Sequence, residues 1–371
     1  MNRRLASLAV LAVAALSAVC AAFADKSSDA IIRLLNSRAA GSPKDFIEAA
    51  EIVSADAEQG RPLQKFVIAL VSRDADLPDR LRLKPEKRKE YLDQSRDKIR
   101  KLAEAKGNAL AWYLLSMETN DMKSLRRAAD GGNVQALNAW GTILLTTTLR
   151  DSTIETNDVA KTLVKCFDMF KKAADLGDAN GFYNLGMCRL RGYGCDIDQE
   201  LAFQCFRTGA LKGHPEAINN MGGFYRDGIV VEKNLETAAR YFEKSAEMSN
   251  PYGMLNYALA LQRGEGVEKD VKKAVGLFKG AAQRGSAEAM NAYGMCFFTG
   301  DGVKKDEPEA VKWFRASAAR GFPPAMDNLA ACYDRGLGVR KDEKEGLVWM
   351  VRGKAARGDR NAAAWLRQNG K

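Results

Sequence analysis

The sequence predicts an all-α fold in which αα-hairpin repeats stack into a solenoid, and three observations lead to this prediction. Segments of the 371-residue chain align at a fixed spacing of 36 residues. Each segment contains two stretches in which apolar residues recur with the period of an amphipathic helix. A glycine-containing connector separates the two helical stretches. The five best copies begin at Gly181, Ala217, Gly253, Ala289 and Ala325.

The first part of each copy, about twelve residues, is predicted to form one helix, here called helix A. Positions 1, 2, 5, 8 and 9 of the repeat are mostly apolar and lie within about 120° of one another, which gives the helix one face to pack. Position 6 is small in every copy, although glycine inside a helix costs about 1 kcal/mol relative to alanine. We therefore expect another helix to approach closely there. The position-6 residues are Gly186, Gly222, Ala258, Gly294 and Ala330.

The connector and the second helix, here called helix B, carry their own signals. The first glycine of a connector such as Gly300-Asp301-Gly302-Val303 is expected to end helix A at positive φ. Three residues beyond the valine stands an acid or amide that can accept hydrogen bonds from the free N–H groups of helix B. Glu309 and Glu345 have the spacing of a capping box, and an aromatic pair such as Trp313-Phe314 follows. The predicted N-cap residues are Asn234, Asp270, Asp306 and Asp342.

These residues closely resemble the Sel-1-like repeat family, whose pattern runs A-x-x-x-L-G-x-x-Y-x-x-G-x-G-V-x-x-D and continues through K-A, W-Y or W-F and A-A-x-x-G. The match extends from Gly181 to Gly358. Two departures stand inside it, since the connector after Gly228 lacks its second glycine and Arg189 replaces an expected aromatic residue. The resemblance implies a tetratricopeptide-like right-handed superhelix and a role as an adaptor in protein complexes.

The whole chain is expected to divide into three parts. Residues 1–24 are predicted to be a signal peptide, and residues 25–135 to form degenerate helical repeats or an N-terminal cap. Residues 136–371 are predicted to hold the Sel-1-like repeats and a C-terminal cap. Ala136 to Ala179 is a looser copy with about nine additional residues, placed somewhere within Thr146 to Thr156.

The N-terminal segment predicts export from a bacterial cytoplasm. Arg3 and Arg4 precede an uncharged run from Leu5 to Cys20, and Ala22-Phe23-Ala24 provides the small residues of a cleavage site before Asp25. Retention of the run as a membrane anchor and lipidation of Cys20 are the alternatives. After cleavage we expect a periplasmic or secreted protein without stable membrane insertion.

Composition argues against several other classes of function. Loss of Arg3 and Arg4 leaves 55 Lys and Arg against 47 Asp and Glu, a net charge of +8 that is spread along the chain, so nucleic acid is not expected as a partner. His214 is the single histidine and lies in a turn, which leaves no two-histidine metal motif. The Gly-x-Gly connectors lack the lysine and the preceding strand of phosphate loops. We predict no catalytic residue, no metal, no cofactor and no enzymatic activity.

The cysteines are interpreted mainly as core residues. Cys188, Cys296 and Cys332 occupy one repeat position on the inward face of helix A, and Cys166 stands where other copies have alanine. Neighbouring repeats are too far apart for Cys296 and Cys332 to bridge. Within one hairpin, Cys188, Cys195 and Cys205 are close enough for a disulfide, which an exported protein permits.

The candidate partner-binding residues lie on the other side of helix A. Positions 3, 7 and 10 point away from the predicted core, yet several are apolar, and solenoids can line a concave groove with successive A helices that receives a peptide. The alternative is that tight packing buries these side chains against adjacent repeats. Position 4 carries an asparagine in most copies. Its side-chain amide either stabilises the fold or hydrogen-bonds the backbone of a bound peptide. The predicted residues are Tyr183, Met187, Leu190, Asn220, Leu255, Asn256, Leu259, Met295, Phe298 and Asn328.

The sequence therefore predicts an exported scaffold, adaptor or regulator that binds a protein or peptide segment on the concave face of the solenoid. Two alternatives remain open. One is a secreted hydrolase acting on cell-wall material or β-lactams, as proposed for secreted relatives, and the other is a host-facing secreted factor.

Overall fold

The fold was analysed in a computed structural model, which describes Ile31, Leu34 and residues 43–59, 62–71, 78–151 and 153–369. These residues contain 18 α-helices and one short 3₁₀ helix, with no strand among them. Within each of the two compact units described below, consecutive helices pack against each other. The predicted all-α hairpin-repeat fold class is confirmed, while the predicted signal peptide lies outside the described residues.

The chain divides into two compact units, residues 1–214 and 215–371. In the first unit, Phe66, Ile99 and Leu114 share one buried core, to which four α-helices, a 3₁₀ helix and the residues Ile31 and Leu34 contribute. The nine α-helices described in this unit are α1 (Pro43–Glu58), α2 (Pro62–Val71), α3 (Pro85–Lys106), α4 (Ala109–Thr119), α5 (Met122–Asp130), α6 (Val134–Arg150), α7 (Thr156–Asp175), α8 (Ala179–Arg191) and α9 (Gln199–Leu211). The 3₁₀ helix spans Asp79–Leu81, between α2 and α3.

The additional residues predicted within Thr146 to Thr156 lengthen the flanking helices instead of forming a loop. Helix α6 has 17 residues and α7 has 20, whereas α8 and α9 have 13 each. Threonine side chains cover the end of α6, where Thr147 Oγ1 donates to the carbonyl of Ile143 at 2.8 Å. These bonds satisfy the hydroxyl groups within the helix.

The second unit consists of four helical hairpins and a final helix. Its A helices are α10, α12, α14 and α16, and its B helices are α11, α13, α15 and α17. The bounds are α10 (Pro215–Asp227), α11 (Leu235–Glu247), α12 (Pro251–Arg263), α13 (Val271–Gln283), α14 (Ala287–Thr299), α15 (Glu307–Ala319), α16 (Pro323–Arg335), α17 (Glu343–Ala356) and α18 (Arg360–Asn369). None of the helices described in either unit is both long enough and apolar enough to cross a bilayer.

The predicted caps form, but the capping box does not. Asp306 Oδ1 accepts a hydrogen bond from the Glu309 N–H at 2.9 Å, as predicted. The Asp306 N–H instead donates to the carbonyl of Phe297 at 2.9 Å, so Glu309 has no free cap N–H to reach. Its carboxylate accepts from Trp313 Nε1 and Lys312 Nζ. The connector is therefore tied back to helix A, which fixes the angle of the hairpin.

Close packing explains the small residue at position 6. A Cβ on Gly222 would lie 2.5 Å from the ring of Phe242, and one on Gly294 would lie 2.8 Å from the ring of Phe314. Both phenylalanines are buried, with at most 3% of their surface exposed. The connector glycine Gly266 is equally constrained, because it has a φ of 70° and a Cβ there would overlap the carbonyl of Leu235. Helices A and B of a repeat and the following connector thus pack without a gap.

Candidate partner-binding site

Asparagines at repeat position 4 connect neighbouring A helices. Asn256 on α12 donates from Nδ2 to Asn219 Oδ1 on α10 at 2.8 Å, and Asn328 on α16 donates in the same way to Asn291 on α14 at 2.8 Å. In each pair the acceptor stands at position 3 of the preceding repeat. The side-chain amides of Asn256 and Asn328 are therefore engaged in hydrogen bonds within the fold. These bonds join successive A helices into a row.

At one contact between neighbouring A helices, apolar side chains stand in place of this amide pair. Between α12 and α14 the corresponding residues are Leu255 at position 3 and Ala292 at position 4, and both pack against the same buried cluster, which includes Phe278. Both asparagines of the pair are replaced at this contact, so neither helix presents an asparagine amide without its partner there. The centre of the row is consequently more apolar than its ends.

The structure places seven of the predicted binding residues on the A helices of the second unit, all half-buried. Leu255 and Leu259 on α12 contact the cluster around Phe278. Met295 and Phe298 on α14 pack against the cluster around Phe314. Asn328 also approaches the Met295 sulfur, with 3.7 Å between Nδ2 and Sδ. The seven residues are Asn220, Leu255, Asn256, Leu259, Met295, Phe298 and Asn328.

The other three predicted residues, Tyr183, Met187 and Leu190, lie half-buried on α8 in the first unit. Tyr183 stacks on His214, with 4.5 Å between ring centroids and 15° between the rings. His214 is 5% exposed, and its Nε2 lies 3.1 Å from Asn180 Oδ1. Burial lowers the pKa of His214 to about 4, so its imidazole is neutral at pH 7. His214 thus packs in the interior, at the turn where the sequence placed it.

A small cleft of about 40 Å³ opens between α10 and α12. Its polar lining is Arg226, Asn256, Arg263 and Glu265, and apolar side chains of α11 and α12, including Phe242 and Leu259, form the rest of its wall. The Arg226 guanidinium binds both carboxylate oxygens of Asp227 at 2.8 Å and lies 5.9 Å from the centre of the Phe242 ring. Sequence reasoning missed both arginines because it searched positions 3, 7 and 10 for apolar residues only. Their repeat positions, 10 and 11, were the available signal.

The cysteines of the described chain are six free thiols, including the three for which a disulfide was considered. Cys166, Cys188, Cys296 and Cys332 are buried, as predicted for core residues. Burial raises the pKa of the Cys188 thiol to about 12 and that of Cys166 to about 11. Thiols held in the protonated form are poor nucleophiles and metal ligands. No group of three or more potential metal ligands occurs among the residues that the structure describes.

The comparison with protein families decides the classification. A family model described as Sel1 repeat matches residues 161–178, 183–214, 215–250, 251–286, 287–322 and 323–356. The chain belongs to the Sel1 repeat family. Sel1 repeats typically mediate protein–protein interactions, and the family is generally not enzymatic.

Solved structures support the same assignment of the fold. A Sel1 repeat protein from Oxalobacter formigenes is 26% identical with a TM-score of 0.56, over 67% of this chain and 100% of that one. The protective antigen c5321 of uropathogenic Escherichia coli, which has an SLR fold, is 22% identical with a TM-score of 0.50, over 87% of this chain and 68% of that one. No curated protein matches the chain.

Proposed function

We propose that this Sel1 repeat protein is an exported scaffold, adaptor or regulator that binds a segment of another protein on the row of A helices. The observation that supports binding there is the apolar centre of the row, formed by Leu255, Leu259, Met295 and Phe298. These side chains pack against the edge of the repeat core but remain only half-buried, so part of their apolar surface is exposed. A partner segment laid across the row would remove their remaining apolar surface from water, which is favourable.

Export rests on the N-terminal sequence, with its basic start, uncharged run and small-residue cleavage site. Cell fractionation combined with N-terminal sequencing of the purified protein tests it. We expect the chain to begin at Asp25 and to be found in the periplasm or the medium. An intact N-terminus in the cytoplasm would exclude export, and a lipid-modified Cys20 would indicate a membrane-anchored protein.

The binding surface is tested by crosslinking and affinity purification from the producing cells. The bait is the tagged full chain, beside a variant that carries Leu259→Glu and Ala331→Glu on the A helices. The matched control carries Leu347→Glu and Met350→Glu on α17, where both residues are exposed. Circular dichroism and thermal unfolding establish that each variant is folded. A partner that the parent and the control retain and the A-helix variant loses would support the proposal.

Loss of the partner from the control alone would place binding on the B helices and would refute the proposed surface. Turnover of a cell-wall fragment or a β-lactam by the purified parent, retained in both variants, would favour the hydrolase alternative instead.

A further inference from the structure

The hairpin of α8 and α9 departs from the other copies at three positions. Positions 9 and 25 hold two stacked tyrosines in the next copy, Tyr225 and Tyr241, with 5.7 Å between ring centroids. The same positions hold Arg189 and Cys205 in this hairpin, and position 15, a valine in the other four copies, holds Cys195. The hairpin therefore lacks the pair of rings. It is also the only one of the five copies with cysteine at both position 8 and position 15.

Side chains at positions 8 and 15 of one copy pack into the same core. Cys296 and Val303 contribute to one cluster of packed side chains in the second unit. The copy that begins at Ala325 has the same arrangement at these two positions. In the first unit, Cys195 packs against the small cluster that contains Cys188. The thiol of Cys195 is therefore directed towards the core that contains the thiol of Cys188.

Backbone hydrogen bonds hold the connector of this hairpin against α8. The Tyr193 N–H donates to the Cys188 carbonyl at 3.0 Å, and the Asp198 N–H donates to the Arg189 carbonyl at 2.9 Å. Both ends of the short segment that contains Cys195 are therefore bound to two consecutive residues of α8. This closed loop meets the first requirement of a disulfide, which is that the two backbones lie close together.

The electrostatics of the thiols favour the same pair. Burial and then the neighbouring Cys195 thiol, the two largest causes, raise the pKa of Cys188 to about 12. At Cys195, burial raises the thiol pKa, and the charge and hydrogen bond of the adjacent Arg189 guanidinium lower it. Burial raises the pKa of Cys205 to about 11, and the charged groups that act on it are Arg189 and Asp198. Of the two half-buried thiols in this hairpin, Cys195 is thus the one that lies close to Cys188.

We propose that Cys195 and Cys188 form a thiol-oxidation site, at which a disulfide oxidant converts the two thiols into one disulfide that fixes the connector to α8. This inference goes beyond the proposed function, because it concerns the first unit and requires no partner segment. Oxidising compartments outside the cytoplasm are where such disulfides form and persist. The covalent link stabilises the one hairpin that lacks the stacked rings of the next copy.

The half-buried position of Cys195 and the complete burial of Cys188 set the order of the two steps. Cys195 first loses its proton, and its thiolate attacks one sulfur of the oxidant, which releases one thiolate and leaves a mixed disulfide. The Cys188 thiol then loses its proton, and its sulfur attacks the Cys195 Sγ and releases the second thiolate. The two cysteines lose two electrons, and the reduced oxidant takes up these electrons and the two protons.

Mass spectrometry of tryptic peptides tests the pairing in the full chain, purified in reducing buffer and then exposed to oxidised glutathione. Trypsin places Cys188 in residues 173–189 and both Cys195 and Cys205 in residues 192–207. We expect these two peptides to become linked in the parent and in Cys205→Ala, and to stay separate in Cys195→Val. Loss of the link in Cys205→Ala, or no linked peptides in the parent, would overturn the proposal.

Removal of each thiol in turn tests the order of the steps. In Cys188→Ala, which copies Ala260 at the same repeat position, Cys195 should retain glutathione as a stable mixed disulfide. In Cys195→Val, the Cys188 thiol should remain unmodified, because it is completely buried. Glutathione on Cys188 in the second variant would show that this thiol reacts directly and would overturn the assignment of Cys195 as the first thiol to react.

Val303→Cys transfers the pair to the copy that carries Cys296. Because positions 8 and 15 share a core there, we expect oxidation to protect Cys296 from alkylation in this variant but not in the parent. Alkylation of Cys296 in both proteins would contradict the proposed geometry of the two positions.

Thermal unfolding tests whether the disulfide fixes the connector. The oxidised parent should unfold at a higher temperature than the reduced parent, because the disulfide restricts the unfolded chain. A thiol reductant should reverse this shift, and Cys195→Val should unfold at the same temperature before and after oxidation. Equal midpoints of the oxidised and reduced parent, with the linked peptides present, would refute the stabilising role of the disulfide.

Discussion

Val230 adopts a backbone conformation that the other connectors assign to glycine. Its φ is 66°, close to the 70° of Gly266 and the 72° of Gly302. A β-branched residue is disfavoured there, because its side chain crowds the backbone in the left-handed region. The missing glycine noticed in the sequence did not change the connector, since the hydrogen bonds from Ile229 and Asn234 to helix A still form.

We therefore expect Val230→Gly to stabilise the protein. The relief of strain exceeds the additional entropy that glycine gives the unfolded chain, and the net gain should be about 0.5 to 1 kcal/mol. Urea unfolding monitored by circular dichroism measures it. Ile229→Gly, at the neighbouring half-buried position, serves as the control and should destabilise. A loss of stability in Val230→Gly would show that no strain is stored at this residue.

The buried His214 makes a pH-dependent contribution to stability. Its folded pKa of about 4 lies below its ordinary value, so between pH 6.5 and 4 the unfolded chain binds the proton more readily. The free energy of unfolding should then fall as the pH drops through this window, by up to about 3 kcal/mol. In His214→Phe, which introduces the residue that Phe322 provides at the same repeat position, this part of the decrease should be absent. Parallel pH profiles of parent and variant, from urea unfolding at each pH, would contradict the assignment.

At the scale of the helices, the residue at position 3 of one A helix is matched to the residue at position 4 of the next. Two junctions of the second unit join position 3 to position 4 through asparagine amides, and the α12–α14 junction uses Leu255 and Ala292. Each pair must be chosen together, because a single asparagine facing an apolar residue would leave a half-buried amide without its partner. Coupling of this kind joins residues that are 37 positions apart in the sequence.

The rule predicts the outcome of a double-mutant cycle. Asn328→Ala should cost about 1 kcal/mol, since it removes the donor to Asn291. Asn291→Leu with Asn328→Ala, which copies the pair at the α12–α14 junction, should recover most of that loss. The free energies of unfolding of the two single variants and the double variant complete the cycle. Strictly additive changes in the free energy of unfolding would mean that the residues at positions 3 and 4 are not energetically coupled.

At the scale of the whole molecule, the sequence predicted what is local or periodic. The 36-residue register located the hairpins, and N-cap residues such as Asp306 were identified because the cap side chain and the backbone N–H that donates to it lie three residues apart. The ring that Gly222 faces, the amide partner of Asn256 and the cleft at Arg263 were not predictable, because they depend on contacts between elements. For the candidate binding residues, the sequence predicted which face of helix A carries them, and the structure shows which side chains they contact.

The central claim is that a partner segment lies across the A helices of the second unit. The most direct measurement is site-specific photo-crosslinking in the producing cells, with the reactive amino acid at Ala331 on α16 or at Leu347 on α17. Both positions are exposed. We predict that a discrete crosslinked partner forms from position 331 and not from position 347. A partner captured equally from both positions, or from position 347 alone, would contradict the claim.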